Sequence, residues 1–197
     1  MPPTRTKLQA MRSKLLFLIC TAFLCGCHND DEQQQVNPPQ QPSHEQVKEA
    51  LIKSHQMYVK QEADEITQYI KQHGYAMQGL STGMYYMITE HGKGEQAAIG
   101  DFATLSYSIN LLDGTVCYDS KTEGPKQVLV GKDAVETGVH QAIELMHAGD
   151  KGLFIIPSYL AQGLVGDKDK IPPGSVVVYN ITLLSVKKQK AADTNSK

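Results

Sequence analysis

The sequence predicts an α+β domain, a curved antiparallel β-sheet wrapped around one short helix, with a long helix ahead of it. Three observations predict it. After Gly83 the apolar spacing changes from a helical period to short β-rich segments. Asp113-Gly114 separates two of these segments, a strong hairpin signal. A single helical stripe, Val139, Ala142, Ile143 and Met146, interrupts the strands.

The chain begins with an address. Residues 1–14 carry Arg5, Lys7, Arg12 and Lys14 and no acidic residue, and Leu15 to Cys25 is apolar. That run is too short to span a bilayer, which takes about 20 apolar residues, and it reads as an export signal over residues 1–26. Met11 gives a more compact signal than Met1, so either can be the start. Leu24-Cys25-Gly26-Cys27 resembles the lipobox of bacterial lipoproteins, in which the final cysteine is acylated. The resemblance implies Cys27 as a lipidation site and a membrane anchor. A plain signal cleaved near Gly26 is the other reading. Beyond this point only Cys117 remains, in an apolar strand pattern that suits a buried small hydrophobe.

Residues 27–42 are rich in Gln, Asn and Pro, and read as a disordered tether. Asp30-Asp31-Glu32 resembles a surface-export signal of some lipoproteins, and equally a solvated linker. Ser43 to His73 reads as a helix: Ser43 and Gln46 form a capping box, and Gly74 is a stop. Val47, Leu51, Tyr58, Ile66, Tyr69 and Ile70 share a broad face that is broken at Glu62. Two uses are open for this helix: packing on its own domain, or an arm for dimerisation or client holding. It and a connection occupy residues 43–80.

Residues 81–188 form the predicted domain. Strands are expected at 84–88, 102–110, 115–118, 127–130, 153–156 and 176–186, with the one helix at about 136–146. Residues 189–197 read as a disordered tail. The 197-residue length and 41% hydrophobic content suit one such domain with extensions. A net charge of −2 argues against a broad nucleic-acid surface.

Five blocks in this domain resemble the FKBP-type peptidyl-prolyl cis-trans isomerases. They are Leu111 to Ser120 (LLDGTVCYDS), Val130-Gly131-Lys132, Leu145 to Pro157 (LMHAGDKGLFIIP), Ile156 to Gly163 (IPSYLAQG) and Ile171 to Leu184 (IPPGSVVVYNITLL). With the signal and the helix, the chain is similar to exported bacterial members, including gliding-motility-associated lipoproteins. The resemblance implies rotation about X–Pro bonds of polypeptide clients without a cofactor or metal. It places Tyr107, Asp119 and Tyr179 at catalytic positions. It places Tyr118, Val135, Glu136, Val139, Tyr159, Gln162 and Ile171 at substrate-binding positions, with the backbone N–H of Glu136 facing a substrate carbonyl. It also implies a location in the bacterial envelope, at the outer membrane.

Two departures bear on activity. Val139 stands where the family often has Trp, and Gln162 where it has an aromatic residue; Tyr159 is the candidate replacement. The alternative function is therefore a catalytically weak chaperone that holds extended or Pro-containing segments. Other constellations carry less. His140, Glu144 and His147 share a helix face but read as a solvated polar surface. Asp167-Lys168-Asp169-Lys170 lacks calcium-loop spacing.

Overall fold

The structure is a computed structural model that describes residues 42–189. The predicted signal, the Cys27 lipidation site, all but the last residue of the tether and nearly all of the tail lie outside the described residues.

Helix α1 spans His44–His73. It ends at Gly74, whose φ of 66° is left-handed; the Gly74 and Tyr75 N–H groups donate to the Lys71 and Ile70 carbonyls at 3.3 and 3.1 Å. The strands follow as β1 Gln78–Gly79, β2 Tyr85–Glu90, β3 Phe102–Leu111, β4 Val116–Asp119, β5 Lys126–Leu129, β6 Lys151–Ile156 and β7 Val177–Lys187. One-turn helix α2 (Ser120–Glu123) follows β4, and α3 (Thr137–Glu144) follows β5. Two short 3-10 turns, Ser158–Leu160 and Gly163–Val165, lie between β6 and β7.

All strand pairs are antiparallel, in the order β1-β2-β6-β7-β3-β4, with β5 also on β3. β3 is long enough to serve two partners: Phe102–Leu105 pairs with β5, and Ser108–Asn110 with β4. The six predicted strands and the one domain helix are present, with ends shifted by one or two residues. The short strand β1 and the one-turn α2 were not predicted. Two residues, or a single turn, carry too little periodicity to register.

The core lies on both faces of the sheet because β6 and the start of β7 are apolar on both. Phe154 and Ile156 of β6, with Tyr179, Ile181 and Leu183 of β7, pack against Val139, Ala142, Ile143 and Met146. The intervening residues Leu153, Ile155 and Val178 point the other way and meet Ile66 of α1, flanked by Tyr69 and Ile70. Burying Ile66 contributes about 1.5–3 kcal/mol.

Glu62, the residue that broke the predicted apolar stripe, is 3% exposed. Its carboxylate accepts the Ser158 N–H at 3.0 Å and the Ser158 hydroxyl. The break is thus the polar centre of the helix dock, a charge buried with hydrogen bonds to hold it. The C-terminal half of α1 packs on its own domain. The N-terminal half leaves Val47, Leu51, Ile52 and Met57 exposed.

Candidate active site

A cavity of about 280 Å³ opens between the sheet and α3. Alternation along β3 sends Leu105, Tyr107 and Ile109 to this side, and the register sets Tyr179 and Ile181 of β7 beside Ile109 and Tyr107. Tyr118 of β4 and Val128 of β5 extend the wall. Val139 of α3, 4% exposed, closes the cavity from the helix side, with Val135 and Glu136 from the preceding loop. Gln162 and Asp167 come from the loop between β6 and β7.

The tyrosine hydroxyls of this space are paired with carboxylates. Tyr107 donates its hydroxyl to Glu123 Oε2 at 2.7 Å, Tyr179 to Glu136 Oε1 at 3.3 Å, and Tyr118 to Asp167 Oδ2. Gln162 Nε2 donates to Glu136 Oε1, joining the two sides of the cavity. Asp167 also accepts the Asp169 and Ile171 N–H groups at 2.9 and 2.8 Å. An unpaired phenol or carboxylate here would carry its full desolvation cost.

These contacts shift the phenols upward. Burial, then the Glu123 hydrogen bond, pushes Tyr107 up to about 12. Tyr118 rises through its bond to Asp167 and through burial, and Tyr179 rises through burial and the Glu136 charge. Burial opposes ionisation of Asp167, but hydrogen bonds from Tyr118 and the backbone outweigh it and hold the carboxyl below its ordinary value.

Seven of the ten residues expected at the site line this cavity: Tyr107, Tyr118, Val135, Glu136, Val139, Gln162 and Tyr179. Three do not. Asp119 caps α2 instead, its Oδ1 accepting the Lys121 N–H at 2.7 Å, and Glu123 is the carboxylate that meets Tyr107. Tyr159 is 42% exposed and donates to the Thr82 carbonyl at 3.1 Å, so it does not replace the missing aromatic. Ile171 is 3% exposed within the core, and its N–H rather than its side chain serves the site, through Asp167.

Asp167, Glu123 and Lys126 were missed. Asp167 meets Tyr118 across 49 residues, a pairing that no local spacing signals. Leu105 and Ile109 were recoverable, since they share the two-residue period of Tyr107. His140 is not a free surface group: its Nδ1 accepts the Gly131 N–H at 2.9 Å, and its Nε2 lies 3.1 Å from the Asp133 carbonyl. It braces the loop that presents Val135 and Glu136.

An antiparallel sheet with a short helix across one face and a tyrosine-walled hollow between them is the architecture of FKBP-type domains. The model of the FKBP-type peptidyl-prolyl cis-trans isomerase family matches residues 93–184 of this chain. A probable FKBP-type isomerase FkpA of Neisseria meningitidis is 34% identical over 106 residues, covering 54% of this chain and 39% of that protein. The macrophage infectivity potentiator of Trypanosoma cruzi is 35% identical, covering 55% of each chain. The outer membrane protein MIP of Legionella longbeachae is 33% identical, covering 55% of this chain and 46% of that protein. The chain thus spans about half the length of these relatives, or less. Among solved structures, FkpA from Escherichia coli superposes with a TM-score of 0.56 at 28% identity, covering 75% of each chain.

Two outcomes follow from this geometry. In an ultraviolet phenol titration, Tyr107 ionises at about 12, and Glu123→Gln brings that step down. Because the folded pKa is raised, the linked stability is complete below about pH 10 and is lost as pH rises through about 12. Separately, Asp119→Ala removes a helix cap and costs about 1 kcal/mol in denaturant unfolding.

Proposed function

We propose that this protein is a peptidyl-prolyl cis-trans isomerase of the bacterial envelope, acting on proline-containing segments of exported polypeptides. The observation that carries the reading is a hollow with aliphatic and aromatic walls whose tyrosine hydroxyls are already paired with carboxylates. Amide resonance imposes a barrier of about 18–20 kcal/mol on rotation. At the twisted midpoint that resonance is lost, the nitrogen becomes pyramidal, and the carbonyl carries less negative charge. A site that holds the twisted form better than either planar form gains tenfold in rate per about 1.4 kcal/mol.

The proline ring fits against Val139, Val135 and the Tyr179 ring. Glu136 stands at the N-cap of α3, where first-turn N–H groups lack intrahelical acceptors, and its amide meets the substrate carbonyl. The tyrosine hydroxyl protons are committed to carboxylates, so Tyr107, Tyr118 and Tyr179 offer ring surfaces to the substrate. Tyr107 and Tyr179 are the catalytic positions; Asp119 shapes the α2 turn that carries Glu123, and its charge also raises the Tyr107 phenol.

A lipid on Cys27 anchors the chain to the outer membrane in this reading, supported by the lipobox-like residues and by a relative named as an outer membrane protein. The exposed apolar residues of the N-terminal half of α1 suit a second copy of the chain, which sedimentation of the full chain would read as a doubled mass. The same exposed row favours a second reading, a weak isomerase that chiefly holds clients.

Protease-free NMR exchange on a proline peptide separates the readings. The isomerase collapses the cis and trans lines at substoichiometric protein, and Tyr107→Ala lowers the exchange rate roughly tenfold or more. Cis and trans lines that stay sharp with excess protein leave only the holding activity. Labelling with a tagged fatty acid tests the anchor: wild type takes up label, and Cys27→Ala does not.

A further inference from the structure

Helix α1 touches the loop between β6 and β7 near both of its ends. At the start, the buried Glu62 carboxylate takes the Ser158 N–H at 3.0 Å and the Ser158 hydroxyl. Near the finish, the Tyr58 hydroxyl donates to the Gly174 carbonyl at 3.3 Å. The approach there is so close that a Cβ on Gly174 would lie 1.7 Å from the Tyr58 oxygen. Glu62 and Tyr58 are one helical turn apart, so one face of α1 reaches both points.

The loop closes on itself between these clips. Gly174 N–H donates to the Gly163 carbonyl at 3.0 Å, and Asp167 N–H to the Ile171 carbonyl at 3.1 Å. It carries Gln162 and Asp167, the two groups that cross the cavity to Glu136 and Tyr118. Ser158 opens the 3-10 turn Ser158–Leu160, and Gln162 is four residues beyond Ser158. Its middle residues Leu164 and Val165 are exposed, while Ile171 further along is buried in the core.

We propose that Glu62 is a positioning residue for the proline pocket: by clipping Ser158 to α1, it sets where Gln162 and Asp167 stand in the cavity. Glu62 lies outside the cavity lining and outside the FKBP family match at residues 93–184. The clip makes the docking of α1 a determinant of pocket shape. A partner that pulls on the exposed half of the helix would therefore be felt in the loop. The placement of the loop stands on the hydrogen bonds alone, and its kinetic consequence rests on the isomerase reading above.

The test uses the full chain carrying Glu62→Ala, Glu62→Gln, Gln162→Ala and the double variant Glu62→Ala/Gln162→Ala. Amide hydrogen exchange and NMR shifts report the loop, and peptide exchange spectroscopy reports kcat/KM. Glu62→Ala is expected to lose protection roughly tenfold or more at Ser158, to shift the Gln162 side-chain amide, and to lower kcat/KM roughly tenfold. A Gln side chain can accept the Ser158 N–H and donate to its hydroxyl, so Glu62→Gln keeps kcat/KM within about threefold of wild type.

Acting in part through Gln162, Glu62→Ala has a smaller effect in the Gln162→Ala background than in wild type, the remainder passing through Asp167; a merely structural role adds its full effect there. Full additivity, or loop amides unchanged in a folded Glu62→Ala protein, overturns the proposal. Where Glu62→Ala fails to fold, Ser158→Ala removes the hydroxyl half of the clip and faces the same additivity criterion. A wild type without catalysis removes the isomerase reading alone, because the exchange and shift measurements still judge the clip.

Discussion

Strand β6 and the start of β7 are apolar on both faces, and the molecule is arranged around that constraint. A strand with one dry face asks for one covering layer; these two ask for two. Helix α3 covers Phe154, Ile156 and Tyr179, while α1 covers Leu153, Ile155 and Val178. The cavity exists because α3 is only two turns long and leaves part of its side of the sheet uncovered. The uncovered part is where Leu105, Tyr107 and Ile109 emerge from β3.

Such a hollow can be apolar only if its polar atoms find partners within its walls. Three tyrosine hydroxyls meet three carboxylates, on α2, at the α3 N-cap and on the β6–β7 loop. Each pair ties a strand to a segment that is not a strand, so the pairs also hold the rim in place. Gln162 adds a bridge from the loop to Glu136, and His140 braces the loop before α3. The departures from the family pattern are thereby absorbed: Gln162 replaces an aromatic face with a cross-cavity hydrogen bond, and Val139 supplies a small aliphatic floor.

The long helix enters the same scheme from the far side of the sheet. Its contact with the domain combines Ile66, a fully apolar plug, with Glu62, a buried charge satisfied by Ser158. A carboxylate at that depth is tolerated only in one registration, since sliding the helix would strand it without donors. The dock therefore specifies position as well as contributing burial, and the specified position is transmitted to the loop that borders the cavity.

Residue order alone was enough for the sheet, its hairpin, the two main helices and seven residues of the hollow. The elements depend on short-range periodicity and turn chemistry, which are written locally; the seven residues came through the resemblance of their motifs to the FKBP-type family. Asp119, Tyr159 and Ile171 were misplaced because motif position does not say which way a side chain is drawn once its neighbours compete for it. Glu62 looked like an interruption, and Asp167 stood in a run set aside for lacking calcium-loop spacing. Their partners lie 96 and 49 residues away, and only the folded chain brings those donors within reach. Hydrogen bonding acts over about 3 Å, so such meetings are decided by packing and leave no mark in sequence spacing.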